Sequence, residues 1–129
     1  MRIAVNTRFL LPEKLEGIGK FTFETLKRLT VQHPEHEFIF FFDRPYDKRF
    51  IFSDNVTPVV LRPPARHPFL WYIWFEISVA RALKKLKPDV FLSTDGYTAL
   101  ATGVPRVTVM HDLAFEHYPK DLGFLVRRY

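Results

Sequence analysis

The sequence predicts an α/β domain whose central sheet is doubly wound and mainly parallel. Two observations predict this fold class. Short apolar segments typical of strands are mostly separated by helical segments or loops rather than by two-residue hairpins. One of these segments, residues 37–43, is apolar over a continuous run, which indicates a strand covered on both faces, as in parallel sheets.

Five segments have the character of strands. They are residues 2–6, 37–43, 56–61, 89–92 and 106–110. Pro58 lies inside the third segment and predicts an edge position for that strand, because proline cannot donate a hydrogen bond to a neighbouring strand. The connection between the second and third strands is irregular, and we expect residues 99–104 to form a short turn or helix.

Apolar residues at helical spacing predict two long helices. The first begins near Ile18 and ends at His33-Pro34. The second spans residues 69–86, carries lysines near its C-terminus, where the helix dipole favours cations, and stops at Pro88. The predicted buried face of the first helix consists of Ile18, Phe21, Thr25 and Leu29, with Thr22 and Leu26 beside it. That of the second helix consists of Leu70, Ile73, Ile77 and Ala80.

Composition and charge exclude several classes of protein. The 129-residue chain has the length of one domain and contains no cysteine, which excludes disulfides, cysteine-ligated zinc and thiol catalysis. We expect no signal peptide. The net charge of +5 suits a phosphorylated substrate, an acidic membrane surface or nucleic acid, or else reflects a solvated basic surface. Nucleic acid is disfavoured because the cationic residues are scattered.

The longest aromatic run, residues 69–75, has two interpretations. It is far shorter than the roughly 20 residues that a membrane span needs. It covers more than one face of its helix, which favours a core position combined with packing against another domain. The alternative is a surface that leans on lipid, because Arg62, Arg66 and Lys84 lie nearby in the sequence.

Ligands of open α/β sheets bind beyond the carboxyl ends of the strands, where the strand order reverses. With the order 3-2-1-4-5, this point lies between the first and fourth strands. Gly17, Ile18, Gly19 and Lys20 follow the first strand and open the first helix, whose N-terminus suits a phosphate or sugar hydroxyl. The alternative is a plain loop-to-helix turn. A dinucleotide fingerprint is disfavoured because Thr22 stands where its third glycine would be.

Polar residues also follow the fourth and fifth strands. Asp95 and Gly96 come after the fourth, where the carboxylate could accept hydrogen bonds from sugar hydroxyls or simply form an Asp-Gly turn. His111 and Asp112 come after the fifth. His111 is placed to donate or accept a hydrogen bond in the crevice, with Asp112 orienting its ring; the alternative is a purely structural histidine.

The other histidines do not follow strand ends in this way. His33 and His36 flank Glu35 closely enough in sequence to suggest metal ligands. We nevertheless expect no metal site, because Pro34 between them argues against regular helical ligand geometry.

Several short segments identify a protein family more specifically by their order and spacing than any one of them does alone. The segments are MRIAVN at residues 1–6, GIGKF at 17–21, KPDV at 87–90, VTVMHDL at 107–113 and YP at 118–119. In this order they resemble the group 1 glycosyltransferases, a large retaining family with the GT-B fold. The resemblance extends over essentially the whole sequence.

The resemblance implies an enzyme with two Rossmann-like domains that face each other across a cleft. The N-terminal domain mainly holds the acceptor, the C-terminal domain mainly holds the nucleotide-sugar donor, and neither metal nor cofactor is required. By this resemblance the Gly17–Gly19 loop would face the donor phosphates and sugar. His111 would lie near the donor sugar with Asp112 supporting it. Asp95-Gly96 would fall near the acceptor side.

The resemblance also implies that residues 1–129 are the N-terminal, acceptor-side domain, without the C-terminal nucleotide-sugar domain. The donor-binding carboxylate motif of the family belongs to that second domain. A last helical stripe consists of Leu122, Leu125, Val126 and Tyr129. Because nothing caps this stripe, we expect the domain to be incomplete at its C-terminus and inactive alone.

The expected partners follow from the same resemblance. They are a nucleotide-sugar, a glycan, lipid-linked or polysaccharide-precursor acceptor, and the protein's own C-terminal domain. We expect the protein in the cytoplasm, either free or peripherally attached to the inner face of the membrane. The main alternative is a non-catalytic α/β module that binds a ligand or a protein, which predicts no donor-dependent chemistry.

Overall fold

The described part of the chain folds around one parallel sheet. A computed structural model describes residues 1–11, 17–64, 68–94, 97–100 and 102–109. The strands are β1 (Arg2–Asn6), β2 (Glu37–Phe42), β3 (Val56–Val60), β4 (Val90–Ser93) and β5 (Arg106–Thr108). They lie in the order β3-β2-β1-β4-β5, and each neighbouring pair is parallel. The predicted fold class, a Rossmann-like doubly wound sheet, is confirmed.

Helices cover both faces of this sheet. On one side lies α1 (Ile18–Gln32). On the other side a continuous helical stretch consists of α2 (Pro68–Ile73), a π-helical segment (Trp74–Val79) and α3 (Ala80–Leu86). Among the described residues, no helix has both the length and the apolar character needed to cross a membrane.

Successive residues of β2 belong to two separate cores. Phe38, Phe40 and Phe42 pack with Leu26 of α1 on one side of the sheet, while alternate residues of the strand pack on the other side. The second core consists of Ala4, Ile39, Phe41, Trp74, Phe75, Val79, Leu83, Phe91 and Ala99. Alternating side chains point to opposite faces of a strand, so a strand buried on both faces is apolar throughout. The prediction from residues 37–43 is confirmed.

The buried face of α1 differs from the predicted one. Its buried residues are Gly19, Thr22, Leu26 and Thr30. Phe21, predicted to be buried, is 41% exposed. Two threonines can occupy the buried stripe because their hydroxyls donate to helix carbonyls, from Thr22 to Ile18 and from Thr30 to Leu26, each at 2.8 Å. The prediction placed Thr22 and Leu26 only beside the face, whereas both belong to the buried stripe, and its members Ile18, Thr25 and Leu29 are half-buried.

The predicted face of the second helical stretch is also wrong. Its buried residues are Trp74, Phe75, Val79 and Leu83, whereas Ile77 is 44% exposed. Hydrogen bonds in a π-helical segment span five residues rather than four, so each turn holds more residues than an α-helical turn. The π segment at Trp74–Val79 thus breaks the regular spacing on which the prediction rested.

The remaining connections follow the sequence closely. β3, with Pro58, is an edge strand as predicted. The link between β2 and β3 contains only one short 3₁₀ turn, Lys48–Phe50. The described residues of the 99–104 segment form no helix. The predicted stripe near the C-terminus lies outside the described residues.

Candidate functional site

The carboxyl ends of β1 and β4 lie side by side at the point where the strand order reverses. Asn6, the last residue of β1, is in register with Ser93, the last residue of β4. The chain leaves β1 through α1, which lies on one face of the sheet. It enters β4 from the second helical stretch, which lies on the other face. This is the position at which doubly wound folds bind ligands.

A buried polar network ties these two strand ends together. The Asn6 amide donates to the Ser93 hydroxyl at 3.0 Å, and its carbonyl oxygen accepts the backbone N–H of Arg8 at 3.1 Å. The Ser93 hydroxyl donates to the backbone carbonyl of Tyr97. Asn6 and Ser93 are both buried. Hydrogen bonds of this kind offset the cost of burying polar groups and fix the course of the chain after each strand.

A second link joins α1 to the end of β4. The hydroxyls of Thr22 and Thr94, both buried, lie 2.6 Å apart. Because a threonine hydroxyl has a single hydrogen and that of Thr22 is donated to the Ile18 carbonyl, Thr94 is the donor between the two. Thr22 stands where a dinucleotide fingerprint would have its third glycine. Through this contact it anchors the first turn of α1 above the crevice.

Gly17 is the residue from which α1 starts. It has φ +43°, a conformation that strains any residue with a Cβ, and an added Cβ would have no atom within 4 Å. Among the described residues no side chain caps the helix, and its first turn has no acidic residue. Gly17 and Lys20 are exposed. The N–H groups and the positive end of the helix dipole therefore favour an anion here.

Arg8 is a residue that the sequence interpretation missed. Its side chain is 2% exposed, although it lies only two residues beyond β1. The guanidinium carbon is 5.0 to 5.3 Å from the ring centroids of Phe9, Trp71, Phe75 and Tyr97. Such contacts stabilise a desolvated cation. Its position after a strand end was visible in the sequence. Apart from the adjacent Phe9, however, its aromatic cage comes from two distant segments, the second helical stretch and Tyr97.

Asp43 is a second residue that was missed. It directly follows β2, and its carboxylate is buried 3.5 Å from the Nε of Arg44. The continuous apolar run before Asp43 hid its significance, because the residue was counted as the end of a strand. A buried charge next to the carboxyl end of β2 adds to the polar character of this edge of the sheet.

The other predicted site residues fall largely outside the described residues. This applies to Asp95 and Gly96 after β4 and to His111 and Asp112 after β5. The described chain reaches this edge with Val109, whose N–H donates to the carbonyl of Ser93 at 2.8 Å. Their roles remain predictions.

The site and fold together define an α/β domain with an anion-suited crevice at the switch point of a parallel sheet. A family model described as Glycosyltransferase Family 4 matches residues 15–129. The chain therefore belongs to this family, in agreement with the resemblance to group 1 glycosyltransferases, and its family points to glycosyl transfer in general. No curated protein and no solved structure matches the chain.

Proposed function

We propose that this chain is the N-terminal, acceptor-side domain of an enzyme that moves a sugar from a nucleotide-sugar to a glycan, lipid or polysaccharide precursor with retention. The observation that carries this proposal is the start of α1. A helix N-terminus whose N-cap residue, Gly17, offers no capping side chain, and whose first turn has no acidic residue, opens at the switch point of a domain from a glycosyltransferase family.

The donor diphosphate binds to the first turn of α1. Gly17 brings the backbone close to the ligand, and Lys20 adds a cationic side chain one turn further along. Phosphate groups at helix N-termini receive hydrogen bonds from backbone N–H groups. Thr22, through its bond to Thr94, prevents this turn from moving relative to the strand ends.

The chemistry depends on stabilising the leaving nucleoside diphosphate while the acceptor attacks the same face of the sugar. Preorganised donors aimed at developing charge supply much of such a rate enhancement. The backbone amides at the start of α1 supply part of this stabilisation of the leaving diphosphate, and cations of the C-terminal domain supply the rest. His111, with Asp112 beside it, positions the sugar, and Asp95-Gly96 contributes to the acceptor side. Neither a metal nor a cofactor takes part.

The glycine pair Gly17 and Gly103 provides a matched test. An added Cβ meets no atom within 4 Å at either position, but only Gly17 has a positive φ. Gly17→Ala should raise KM for the nucleotide-sugar in the full-length enzyme, because the first turn of α1 shifts. Gly103→Ala should leave it unchanged. Equal KM values for both variants, with comparable melting temperatures, would remove the proposed role of this turn.

Residues 1–129 alone are expected to transfer no sugar. The rival proposal of a non-catalytic binding module shares this expectation for the isolated domain but predicts that the full-length protein is inactive too. Measuring release of UDP or GDP from nucleotide-sugars by the full-length protein separates the two.

Peripheral attachment to an anionic membrane is part of the same proposal. A cavity of about 510 Å³ lies between β3 and the helical stretch that follows it, and Arg62, Arg81 and Lys85 line it beside apolar side chains. Phe69 and Tyr72 are 58% and 54% exposed. Basic groups and exposed aromatic rings on one helical stretch suit a lipid interface.

Vesicle co-sedimentation tests this attachment. Arg81→Gln/Lys85→Gln should weaken binding to anionic vesicles, whereas Lys27→Gln/Arg28→Gln on α1 should not. Equal binding by the two double variants would contradict a membrane role for the cavity.

A further inference from the structure

Three potential metal ligands meet in the turn between α1 and β2. His33 directly follows α1, and His36 directly precedes β2, with Glu35 between them. This turn lies at the amino end of β2, at the opposite edge of the sheet from the crevice. We propose that His33, Glu35 and His36 form a surface site for a divalent transition metal of the Zn²⁺ class, which stabilises the junction of α1 with β2.

The distances between the ligand atoms fit such an ion. Glu35 Oε1 is 3.0 Å from His33 Nδ1 and 3.6 Å from His36 Nε2, and all three groups have ligand atoms within 4.8 Å of one another. Tetrahedral Zn²⁺ with bonds of about 2.1 Å separates its ligands by roughly 3.4 Å. The two distances from Glu35 bracket this value. The stacked rings of His33 and His36, whose centroids are 5.6 Å apart, turn so that both nitrogens point at the ion, and water completes the coordination.

The turn is held in this shape without a metal. The side-chain amide of Asn55 donates to the backbone carbonyls of Thr30, His33 and His36 at 3.0, 3.1 and 3.0 Å. A preorganised site loses less conformational entropy when it binds its ligand.

The three side chains of the turn present their ligand atoms to one another. His36 Nδ1 faces the amino nitrogen of Met1 at 3.4 Å, while Nε2 faces Glu35. Pro34 disfavours ligands presented along a helix, but here the ligands are presented by a turn.

Calorimetric titration of the metal-free, full-length protein with Zn²⁺ near neutral pH tests the site. The wild type should bind one Zn²⁺ through this turn. His33→Gln/His36→Gln should lower the affinity by at least about tenfold, the cost of disturbing even an outer ligand. Glu35→Gln changes an exposed side chain and should lower the affinity for Zn²⁺ as well. His67→Gln/His117→Gln serves as the control for histidine content and should leave affinity unchanged.

A second readout separates specific binding from surface adsorption. Zn²⁺ should raise the melting temperature of the wild type and of the control, but not that of His33→Gln/His36→Gln, which should melt like the wild type without metal. Wild-type affinity in the His33/His36 variant would overturn the proposal, as would absence of Zn²⁺ binding by the wild type.

Discussion

The hydroxyls of Thr22 and Thr94 meet 2.6 Å apart and join the first turn of α1 to the end of β4. Both residues are buried, and the Thr22 hydroxyl also donates to the carbonyl of Ile18. One side chain therefore fixes the start of the helix relative to the two central strands.

Replacement of Thr22 by valine should separate this contact from ordinary burial. Thr22→Val keeps the shape of the side chain but removes its hydrogen bond with the Thr94 hydroxyl, which should cost about 1–2 kcal/mol in the free energy of unfolding. Thr30→Val is the matched control, since the buried Thr30 hydroxyl bonds only to carbonyls of its own helix. Denaturant unfolding measures both. Equal losses for the two variants would contradict a special link at Thr22.

Arg8 should not tolerate lysine. Lysine keeps the charge but loses the planar group that stacks against the rings of Trp71 and Tyr97, so Arg8→Lys should destabilise the fold by about 2 kcal/mol. Arg49→Lys is the control, because its guanidinium also lies over a ring, that of Phe50, but its side chain is about half exposed. The control should change stability by less than about 0.5 kcal/mol. Thermal unfolding measures the stability of both variants. Similar losses of stability in Arg8→Lys and Arg49→Lys would contradict a stabilising role for the aromatic cage around Arg8.

Two phenylalanines test the corrected burial pattern. Phe41→Ala should cost about 3–5 kcal/mol, because it opens a cavity in the core beneath the π-helical segment. Phe21→Ala should cost less than about 1 kcal/mol, because Phe21 is 41% exposed. Urea unfolding measures the free energy of unfolding of both variants. A large loss at Phe21 would restore the helix face that apolar spacing predicted.

Glu35 should titrate below the usual range of a glutamate. Its pKa is lowered first by a backbone hydrogen bond and then by His33, with a smaller contribution from His36. A depressed folded-state pKa stabilises the fold at neutral pH, and this contribution is lost as the pH falls from the ordinary glutamate range through the folded-state value. Carboxyl NMR titration should show a larger upward shift in His33→Gln than in His36→Gln; the reverse order would contradict this geometry.

Much of the fold could be predicted because its patterns are local. The continuous apolar run of β2 indicated burial on both faces, and Pro58 indicated an edge strand. The helix faces could not be predicted in the same way. The buried threonines of α1 depend on hydrogen bonds, and the π-helical segment changes the spacing of the second helical stretch.

The site was only partly predictable for a related reason. Gly17 and Lys20 could be located because glycine and a helix start are visible in the sequence. Arg8 could not be recognised, because its partners Trp71 and Tyr97 become neighbours only when the chain folds. The contact between Thr22 and Thr94 likewise joins residues 72 positions apart.

Acceptor-dependent release of UDP or GDP by the full-length protein, measured over a panel of nucleotide-sugars, tests the central claim most directly. We predict release from at least one donor, with His111→Ala reducing turnover while the melting temperature stays unchanged. Absence of release from every donor, in a folded full-length protein supplied with glycan and lipid-linked acceptors, would contradict the proposed sugar transfer and favour a binding role.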